Sequence, residues 1–392
     1  MISVDEAKAL ISRKCKVNRT EVIPIEESFG YVLAKDIQSP VDTPPFDNSA
    51  MDGYAFHYAS WDGLSPIRVV GEVQAGSVPE YVLARHEAVR IFTGAVVPGS
   101  ADTVVMQEKV EVEGDEIFIR DEQLTMGRNI REKGSQTKAG ELALPEGHRL
   151  VPASISFLAG LGIDKVNVYA RPEVAIIVTG KELVPPGTPL KTGEIYESNG
   201  YGLSAACQSL QIEPMYVDIV KDDVSLIENS IRNASDADII ILTGGASVGD
   251  YDLVPAALQQ FGAEKVFHMV SQRPGKPFYF GTHSGTLIFG LPGNPAAVLT
   301  CFYQFIVPAI EAFTHKPYFP RKKMILANSY TKKPQLTYFL KGKTSGDQVE
   351  ILDHQQSYLV NSFAHADCLI TLEEGRDRYD AGDEVEVLLI MG

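Results

Sequence analysis

Four strongly apolar segments between residues 171 and 315 are the main constraint on the fold of this chain. They are the sequences EVAIIVTG, EPMYVDIV, ADIIILTGG and GTLIFGLPG. Helical segments alternate with them, around 199–210, 224–234, 252–261 and 294–313. Strands that are apolar along their whole length and alternate with helices are typical of a parallel sheet covered on both faces. The sequence therefore predicts a doubly wound α/β domain over residues 171–315.

The segments on either side of this domain have a different pattern. Short β-branched runs broken by glycine and proline fill residues 66–145, which predicts a small β-rich region. From residue 317 the pattern is again that of β structure and predicts a C-terminal barrel or sandwich. Helices are predicted at residues 152–163 and at the N-terminus, where Ser3 and Glu6 have the spacing of a capping box. The predicted fold class is thus a multidomain α/β protein.

Charge and composition exclude several classes of protein. The formal net charge is −16, which repels a phosphate backbone and argues against nucleic-acid binding. No apolar run approaches the roughly 18 to 20 residues that span a bilayer, and the acidic N-terminal segment is unlike a signal peptide. We therefore expect a cytoplasmic protein without membrane association. The cysteines are far apart and the histidines scattered, so neither disulfide bonds nor a zinc site are predicted.

Glycine-containing loops follow several predicted strands. One, Thr93-Gly94, ends a strand of the β-rich region, and three end strands of the α/β domain: Thr179-Gly180, Thr243-Gly244-Gly245 and Pro292-Gly293-Asn294-Pro295. Ligands of open α/β sheets bind at the carboxyl ends of the strands, where glycine lets backbone N–H groups approach them. Each loop alone is more consistent with a tight turn, and Asn294 with Pro295 suits a helix start. Their convergence on one sheet edge nevertheless predicts a ligand site.

The loop TGGASVGDYD is the most informative of these. Its small residues would form a phosphate cradle: Gly244, Gly245, Ser247 and Gly249. Its carboxylates, Asp250 and Asp252, and those of Glu182 and Asp222 beyond two other strands supply the oxygen ligands that Mg²⁺ prefers. The alternative is that Asp250 or Asp252 only caps the next helix.

Two short basic runs add positive charge to this acidic chain. GRNIREKG contains Arg128, Arg131 and Lys133, and SQRPGKPFYF contains Arg273 and Lys276. Either run alone is more typical of a solvated surface, but arginine and lysine among glycines and prolines also suit an oxyanion. Together with the acidic and glycine-rich loops, these runs indicate phosphoryl or nucleotide chemistry on an anionic cofactor. The first predicted strand of the domain is followed by neither a Walker A nor a GxGxxG sequence, which disfavours an ordinary nucleotide hydrolase or dinucleotide-binding enzyme.

Eight motifs carry a resemblance to a known family. In chain order they are PPFDNSAMDGYA, FTGA, NIREKG, TGKEL, ESNGYGL, TGGASVGDYD, RPGKPFYFG and GLPGNPAAV. The order resembles that of the MoeA-type molybdopterin molybdenumtransferases, the family that includes the gephyrin E domain. The resemblance covers essentially the whole chain, and the first, sixth and eighth motifs are the most specific. It implies four domains: residues 1–45 with 139–170, an inserted β-rich domain at 46–138, the α/β molybdopterin-binding domain at 171–315, and a C-terminal β domain at 316–392.

The resemblance also implies an activity and partners. Members of this family are homodimers with active sites in clefts at the subunit interface. They take adenylylated molybdopterin and molybdate, insert the metal into the dithiolene and release AMP in a step that depends on a divalent cation, here Mg²⁺. The adenylyltransferase of the same pathway is a further expected partner. A tungstate-inserting paralogue and a non-catalytic binding scaffold are the alternatives.

Carried over residue by residue, the resemblance identifies site positions. Catalytic positions fall on Asp52, Thr93, Glu182, Asp222 and Asp252, of which the four carboxylates are also the expected metal ligands. Cofactor-binding positions fall on the loop glycines and serine above and on Arg273, Lys276, Pro292, Gly293, Pro295 and Ser362. The presence of all four carboxylates favours the enzyme over the scaffold.

The first motif, at residues 44–55, carries Asp52 in a proline-stiffened loop. We expect this stiffness to preorganise the Asp52 carboxylate, and Asp47 and Asn48 to satisfy the backbone of the turn itself. Three positions depart from the family pattern: Gln136 where a carboxylate is usual, Lys181 before Glu182, and Arg273 where lysine is common.

Overall fold

The computed structural model describes residues 1–15, 19–245 and 253–390. Its helices are α1 Val4–Lys14, α2 Pro152–Gly160, α3 Asn199–Ser209, α4 Val224–Asn233, α5 Leu253–Phe261, α6 Pro295–Cys301, α7 Val307–Thr314 and α8 Asn361–His365. A π-helical turn, Phe302–Ile306, joins α6 to α7, and 3₁₀ turns occupy Ile25–Glu27, Tyr58–Ser60 and Gln107–Lys109.

The strands, in chain order, are β1 Thr20–Pro24, β2 Ile37–Gln38, β3 Asn48–Ser49, β4 Gly53–Phe56, β5 Ile67–Val73, β6 Glu87–Ile91, β7 Thr103–Met106, β8 Val110–Glu113, β9 Glu116–Ile119, β10 Ile130–Arg131, β11 Leu142–Leu144, β12 Lys165–Tyr169, β13 Val174–Thr179, β14 Leu183–Val184, β15 Ile195–Tyr196, β16 Tyr216–Val220, β17 Ile239–Thr243, β18 Glu264–His268, β19 Gln272–Arg273, β20 Tyr279–His283, β21 Thr286–Leu291, β22 Arg321–Leu326, β23 Tyr330–Thr331, β24 Thr337–Ser345, β25 Gln348–Ile351, β26 Cys368–Leu372, β27 Arg378–Tyr379 and β28 Glu384–Leu389. The chain divides into two compact units, one formed by Met1–Glu21 with Tyr169–Gly392 and the other by Val22–Val168. The division into four domains with the boundaries given above stays a prediction.

The first unit contains the predicted doubly wound sheet, with the strand order β16-β13-β17-β21-β20-β18. The first four strands are parallel, as the sequence predicts. The sheet as a whole is mixed, because β20 and β18 run antiparallel to their neighbours. A tight turn through Ser284 and Gly285 joins β20 to β21, and such a short connection is possible only between antiparallel strands.

Burial on both faces explains why the central strands are apolar along their whole length. Val174, Ile176 and Val178 of β13 face a core that also includes α1, α3, α6 and α7. The alternate residues Ala175 and Ile177 face a second core with α4 and α5. Alternate side chains of β13 are therefore buried on opposite faces of the sheet. Such a sheet is stable only between two layers of helices.

The helical segment Pro295–Thr314 corrects one expectation. By length and composition it could span a membrane, with a mean hydropathy of 1.6, so the prediction that no apolar run approaches that length is wrong. Within the structure, 72% of this segment is buried. Phe302, Phe305 and Ile310 pack in the core of the first unit, which is the position of a core helix.

The C-terminal part of the first unit is a barrel, which confirms the predicted β domain. Strands β24, β25, β22, β28 and β26 pair in that order, and β26 pairs back with β24 to close the ring. Its interior holds side chains such as Leu340, Val349 and Ile370. Strand β19, from the α/β part of the chain, adds to β24 in parallel register.

The second unit is β-rich, as predicted. Its main sheet has the order β7-β4-β6-β5-β9-β8. The strands β2 and β11, and likewise β3 and β10, form separate two-stranded sheets. Small apolar cores form on the two faces of β4, around Phe56 on one face and around Ala55 on the other. Helix α2 forms where it is predicted but ends at Gly160.

Candidate functional site

The carboxyl edge of the α/β sheet brings the predicted loops of the first unit together. Because β16, β13, β17 and β21 are parallel, their last residues lie at the same edge. The amide N–H of Gly180 donates to the carbonyl of Val220 (3.1 Å), and Thr243 Oγ1 donates to the carbonyl of Pro292 (3.1 Å). Four strand exits that are far apart in sequence thus form one continuous surface.

Two predicted carboxylates lie at this edge. Asp222 Oδ2 accepts a hydrogen bond from the amide of Lys181 (3.1 Å), which places the Asp222 carboxylate against the backbone that leads into Glu182. Glu182 is half-buried and lines a cleft. Among the described residues, no group of three His, Cys, Asp or Glu side chains could hold a metal ion. Two carboxylates suit Mg²⁺, since this ion usually takes one or two from the protein and its other ligands from water and substrate phosphates.

Part of the predicted loop falls outside the described residues. Ser247, Gly249, Asp250 and Asp252 belong to residues 246–252, so their predicted roles stay predictions. The same applies to the expected cap of α5 by Asp250 or Asp252.

Gly244 shows why glycine stands at the end of β17. Its φ is +91°, and a Cβ there would lie 2.1 Å from the carbonyl oxygen of Thr179 and 2.7 Å from Thr179 Oγ1. A Cβ on Gly293 would lie 3.7 Å from the Gly244 Cα. The exits of β13 and β17 therefore touch backbone to backbone and a side chain on Gly244 would force them apart, whereas a Cβ on Gly293 would make only an ordinary contact.

A cleft of about 640 Å³ opens beside this edge. Five predicted site residues line it: Glu182, Arg273, Lys276, Pro292 and Gly293. The opposite wall is the segment Gln355–Tyr358. This cleft offers positive charge, one carboxylate and backbone groups to a ligand, which is the combination predicted for an anionic cofactor.

The basic side of the cleft is fixed by its backbone. Arg273 belongs to β19, and its guanidinium lies 5.5 Å from the centre of the Tyr338 ring in the barrel. Gly275, with φ +82°, passes so close to α6 that a Cβ would lie 2.5 Å from Cys301 Sγ. Arg273 and Lys276 therefore leave a rigid turn, and both side chains are exposed to the cleft.

The side chain of Asn294 at the start of α6 does not cap the helix. Asn294 is the N-cap residue and Pro295 follows at the first helical position, as predicted, but the Asn294 side chain makes no capping bond. Its amide donates to Ser357 Oγ (3.0 Å), and the N–H of Ala296 donates to the Ser357 carbonyl (3.1 Å). The helix start thus binds the opposite wall of the cleft.

Ser362 lies beneath that wall, not among the residues that line the cleft. Its hydroxyl donates to the carbonyl of His354 (2.9 Å). Lys341, a residue that the sequence analysis missed, donates from Nζ to the carbonyls of His354 (2.8 Å) and Leu359 (3.0 Å). Lys341 is 3% exposed, and burial lowers its pKa to about 8. Ser362 and Lys341 together hold both ends of the segment that forms the wall.

The second unit brings together Asp52 and Thr93. Asp52 Oδ1 accepts hydrogen bonds from the N–H and the hydroxyl of Thr93, both at 2.8 Å. These bonds, first the backbone one and then the hydroxyl, lower the pKa of the Asp52 carboxyl, and the charge of Arg90 acts in the same direction. Gly53 is required next to Asp52, because a Cβ there would lie 1.9 Å from the Val105 carbonyl oxygen.

Three of the quoted motifs meet around this pair. The N–H of Gly94 donates to the Ser49 carbonyl (2.8 Å), and β3 pairs with β10 of the NIREKG motif. Asp47 was expected to satisfy its own turn, but its carboxylate accepts from the N–H of Lys133 (2.7 Å) and so joins two motifs. Asn48 Oδ1 is buried without a partner among the described residues. Tertiary contacts, in addition to the prolines, thus fix the loop that carries Asp52.

The basic side chains of the GRNIREKG run are solvated. Arg128, Arg131 and Lys133 are all exposed, and Lys133 Nζ forms an ion pair with Asp42 (3.3 Å). These observations match the alternative that a short basic run is a surface feature.

A doubly wound sheet whose strand exits line a charged, glycine-containing cleft defines the class of open α/β proteins, which bind their ligands at the carboxyl ends of the strands. Comparison with protein families is more specific. Residues 2–162 match the MoeA N-terminal region (domain I and II), residues 175–312 a probable molybdopterin binding domain, and residues 323–390 the MoeA C-terminal region (domain IV).

Individual relatives cover nearly the whole chain. A molybdopterin molybdenumtransferase of Haemophilus influenzae is 32% identical over 397 residues, which span 99% of this chain and 98% of the relative. One from Nostoc is 42% identical over 304 residues, or 74% of this chain and 69% of the relative. The crystal structure of a molybdopterin biosynthesis MoeA protein from Pyrococcus horikoshii superposes with a TM-score of 0.85 at 34% identity and covers 100% of both chains.

The chain belongs to the MoeA-type molybdopterin molybdenumtransferase family. It is a transferase, and its family places it in molybdenum cofactor biosynthesis.

Proposed function

We propose that this protein inserts molybdate into adenylylated molybdopterin and releases AMP, the final step of molybdenum cofactor biosynthesis. The observation that carries the proposal is the cleft at the carboxyl edge of the α/β sheet, where Glu182, Arg273, Lys276 and the Pro292-Gly293 loop face one space. An adenylylated pterin is a polyanion with a phosphoanhydride bond. It needs positive charge and close backbone approach, and this cleft offers both.

The residues of the cleft have distinct proposed roles. Arg273 and Lys276 bind the anionic groups of the pterin and of molybdate. Pro292 and Gly293, with Gly244 behind them, let the ligand approach the backbone, and Pro295 starts the helix that follows this loop.

Mg²⁺ belongs to this proposal as a cofactor. Glu182 and Asp222 would hold it, together with Asp252, and when bound it supplies positive charge that neutralises phosphate oxygens. Asp52, fixed by Thr93, is proposed as a further ionised carboxylate of the reaction. Hydrogen bonds from Thr93 stabilise the ionised form of the Asp52 carboxyl and so lower its pKa.

The direct test is AMP release by the purified full chain. Adenylylated molybdopterin is supplied with molybdate, with tungstate or with neither, each in Mg²⁺ and in EDTA, and AMP is quantified by chromatography. The proposal predicts AMP release that requires molybdate and Mg²⁺. Release with tungstate alone would identify a tungstate-inserting paralogue, and tight binding of the pterin without turnover would identify a scaffold.

We further propose that the protein acts as a homodimer in the cytoplasm. The supporting observation is the edge strand β16, whose outward side chains Val217 and Ile219 are 48% and 44% exposed, with Met215 beside them at 45%. Exposed apolar side chains on an edge strand are a hazard unless another chain covers them. Sedimentation equilibrium should give twice the chain mass of 42.8 kDa, and Ile219→Asp should shift the protein towards the monomer. A wild-type monomer at micromolar concentration with full activity would contradict the dimer.

A further inference from the structure

The motif ESNGYGL, at residues 197–203, has no role in the function proposed above. Its first residue, Glu197, is 2% exposed, and its Oε1 accepts a hydrogen bond from the N–H of Gly200 (2.7 Å) at the start of α3. A Cβ on Gly200 would lie 3.0 Å from Glu197 Oε2 and 3.1 Å from Val178 Cγ2. The first turn of α3 is therefore pressed against β13, and the position of Asn199 in that turn is fixed.

The Asn199 side chain bonds two of the strand exits at once. Its Nδ2 donates to Thr243 Oγ1 (3.1 Å) at the end of β17 and to the carbonyl of Gly293 (2.8 Å) after β21. Thr243 Oγ1 in turn donates to the carbonyl of Pro292 (3.1 Å). Since a carbonyl can only accept, the atom that faces Gly293 must be the amide nitrogen, and both of its hydrogens are used.

This network joins the residues next to the glycine loops. Gly244 follows Thr243 directly, and Gly293 lies against Gly244. The other end of the amide, Asn199 Oδ1, is buried and has no hydrogen-bond partner in the part of the chain that the structure describes. The orientation of Asn199 therefore depends on the two loop residues that its amide nitrogen contacts, Thr243 and Gly293.

We propose that Asn199 is a positioning residue for ligand binding: its amide holds Thr243-Gly244, at the end of β17, and Gly293, after β21, at the spacing that the pterin substrate requires. Asn199 acts through the backbone of these loops and is not a catalytic group. The identity of the ligand rests on the proposed function, whereas the network itself does not.

The experiment compares four variants of the full chain. Asn199→Asp keeps the shape but removes the donor, Thr243→Val removes the hydroxyl, and Thr243→Ser keeps it. Asn233→Asp, at the exposed end of α4, controls for the added charge. Binding of metal-free molybdopterin is measured by equilibrium dialysis, hydrogen exchange of the Gly244, Gly245 and Gly293 amides by mass spectrometry, and kcat and KM from AMP release.

We expect the Kd for molybdopterin to rise about tenfold in Asn199→Asp and Thr243→Val, the scale of one or two lost hydrogen bonds. The rise should appear in KM more than in kcat, with faster exchange of the loop amides. Asn233→Asp should match the wild type in all three measurements, and Thr243→Ser, which keeps the hydroxyl, should retain most of the affinity that Thr243→Val loses. If Asn199→Asp does not fold, as judged by circular dichroism, the Thr243→Val and Thr243→Ser pair decides.

Wild-type affinity in both Asn199→Asp and Thr243→Val would overturn the inference, whether or not loop exchange changes. An equal loss of affinity in Thr243→Val and Thr243→Ser would also overturn it, because the hydroxyl would then be irrelevant. A wild-type chain that binds no molybdopterin would instead refute the proposed function, and the exchange data would still test the network.

Discussion

Replacing Gly244 with alanine tests the close packing of the strand exits. The new Cβ would stand 2.1 Å from the Thr179 carbonyl oxygen, a backbone atom that cannot rotate away. The φ of +91° adds a cost of roughly 1–2 kcal/mol for any L-residue. Relief of the overlap by backbone movement adds roughly 1–3 kcal/mol. We therefore expect Gly244→Ala to lower the free energy of unfolding by about 3 kcal/mol.

A matched control separates the two contributions. Gly285, in the turn between β20 and β21, has φ +99° and no atom within 4 Å of its would-be Cβ. Gly285→Ala should therefore cost only the backbone part, about 1–2 kcal/mol. Urea unfolding followed by circular dichroism compares the two variants, with molybdopterin binding as the second measurement. Equal destabilisation of both, with unchanged binding in Gly244→Ala, would show that the exits do not touch as described.

Two further predictions concern charged groups. Asp52→Asn should fold normally, because the amide oxygen can still accept both bonds from Thr93, but AMP release should fall at least ~10²-fold, the scale of losing a preorganised electrostatic group. Asp62→Asn in the same unit, which replaces another turn carboxylate of lowered pKa, is the control, and near-normal turnover of Asp52→Asn would end this assignment. Burial lowers the pKa of Lys341 to about 8. Between pH 8 and about 10 the unfolded chain therefore binds more protons at this lysine than the folded chain does. As a result, Lys341 makes the free energy of unfolding rise with pH in that window. Lys341→Met should remove that rise, which is at most about 3 kcal/mol. Urea unfolding at pH 7.5 and 10 measures it. The same change in the free energy of unfolding between the two pH values in wild type and variant would contradict the burial of this lysine.

The sequence predicts the parts of the fold in which burial leaves a strong pattern. Strands such as β13 and β17 are apolar throughout because both faces are covered, and this separates them clearly from the helices between them. Strand β18, EKVFH, mixes charged and apolar residues and β20 contains a glycine, so neither has a clear strand pattern. Their antiparallel pairing was therefore missed.

Some residues of the site are likewise indicated by a local sequence pattern, whereas others are not. A loop that needs glycine is visible in the sequence, and at Gly244 the positive φ and the contact with the Thr179 carbonyl disfavour every other residue. Lys341 and Asn199 act through contacts with residues 13 to 94 positions away in the chain. No local pattern marks Lys341, and the motif ESNGYGL, which contains Asn199, does not indicate the residues that Asn199 contacts. Most of the individual site residues came from the family resemblance, since residue types alone indicate only an anionic ligand.

Two sets of contacts connect the walls of the cleft in the first unit. On one side, β19 pairs with β24, which joins Arg273 to Tyr338 of the barrel. On the other, Asn294 and Ala296 bond to Ser357. Among the described residues, these walls cannot move towards each other without breaking strand pairing or a helix-start contact. Little chain entropy should then be lost when the ligand binds. The association rate should be limited by the diffusional encounter of ligand and cleft, not by a conformational change of the cleft.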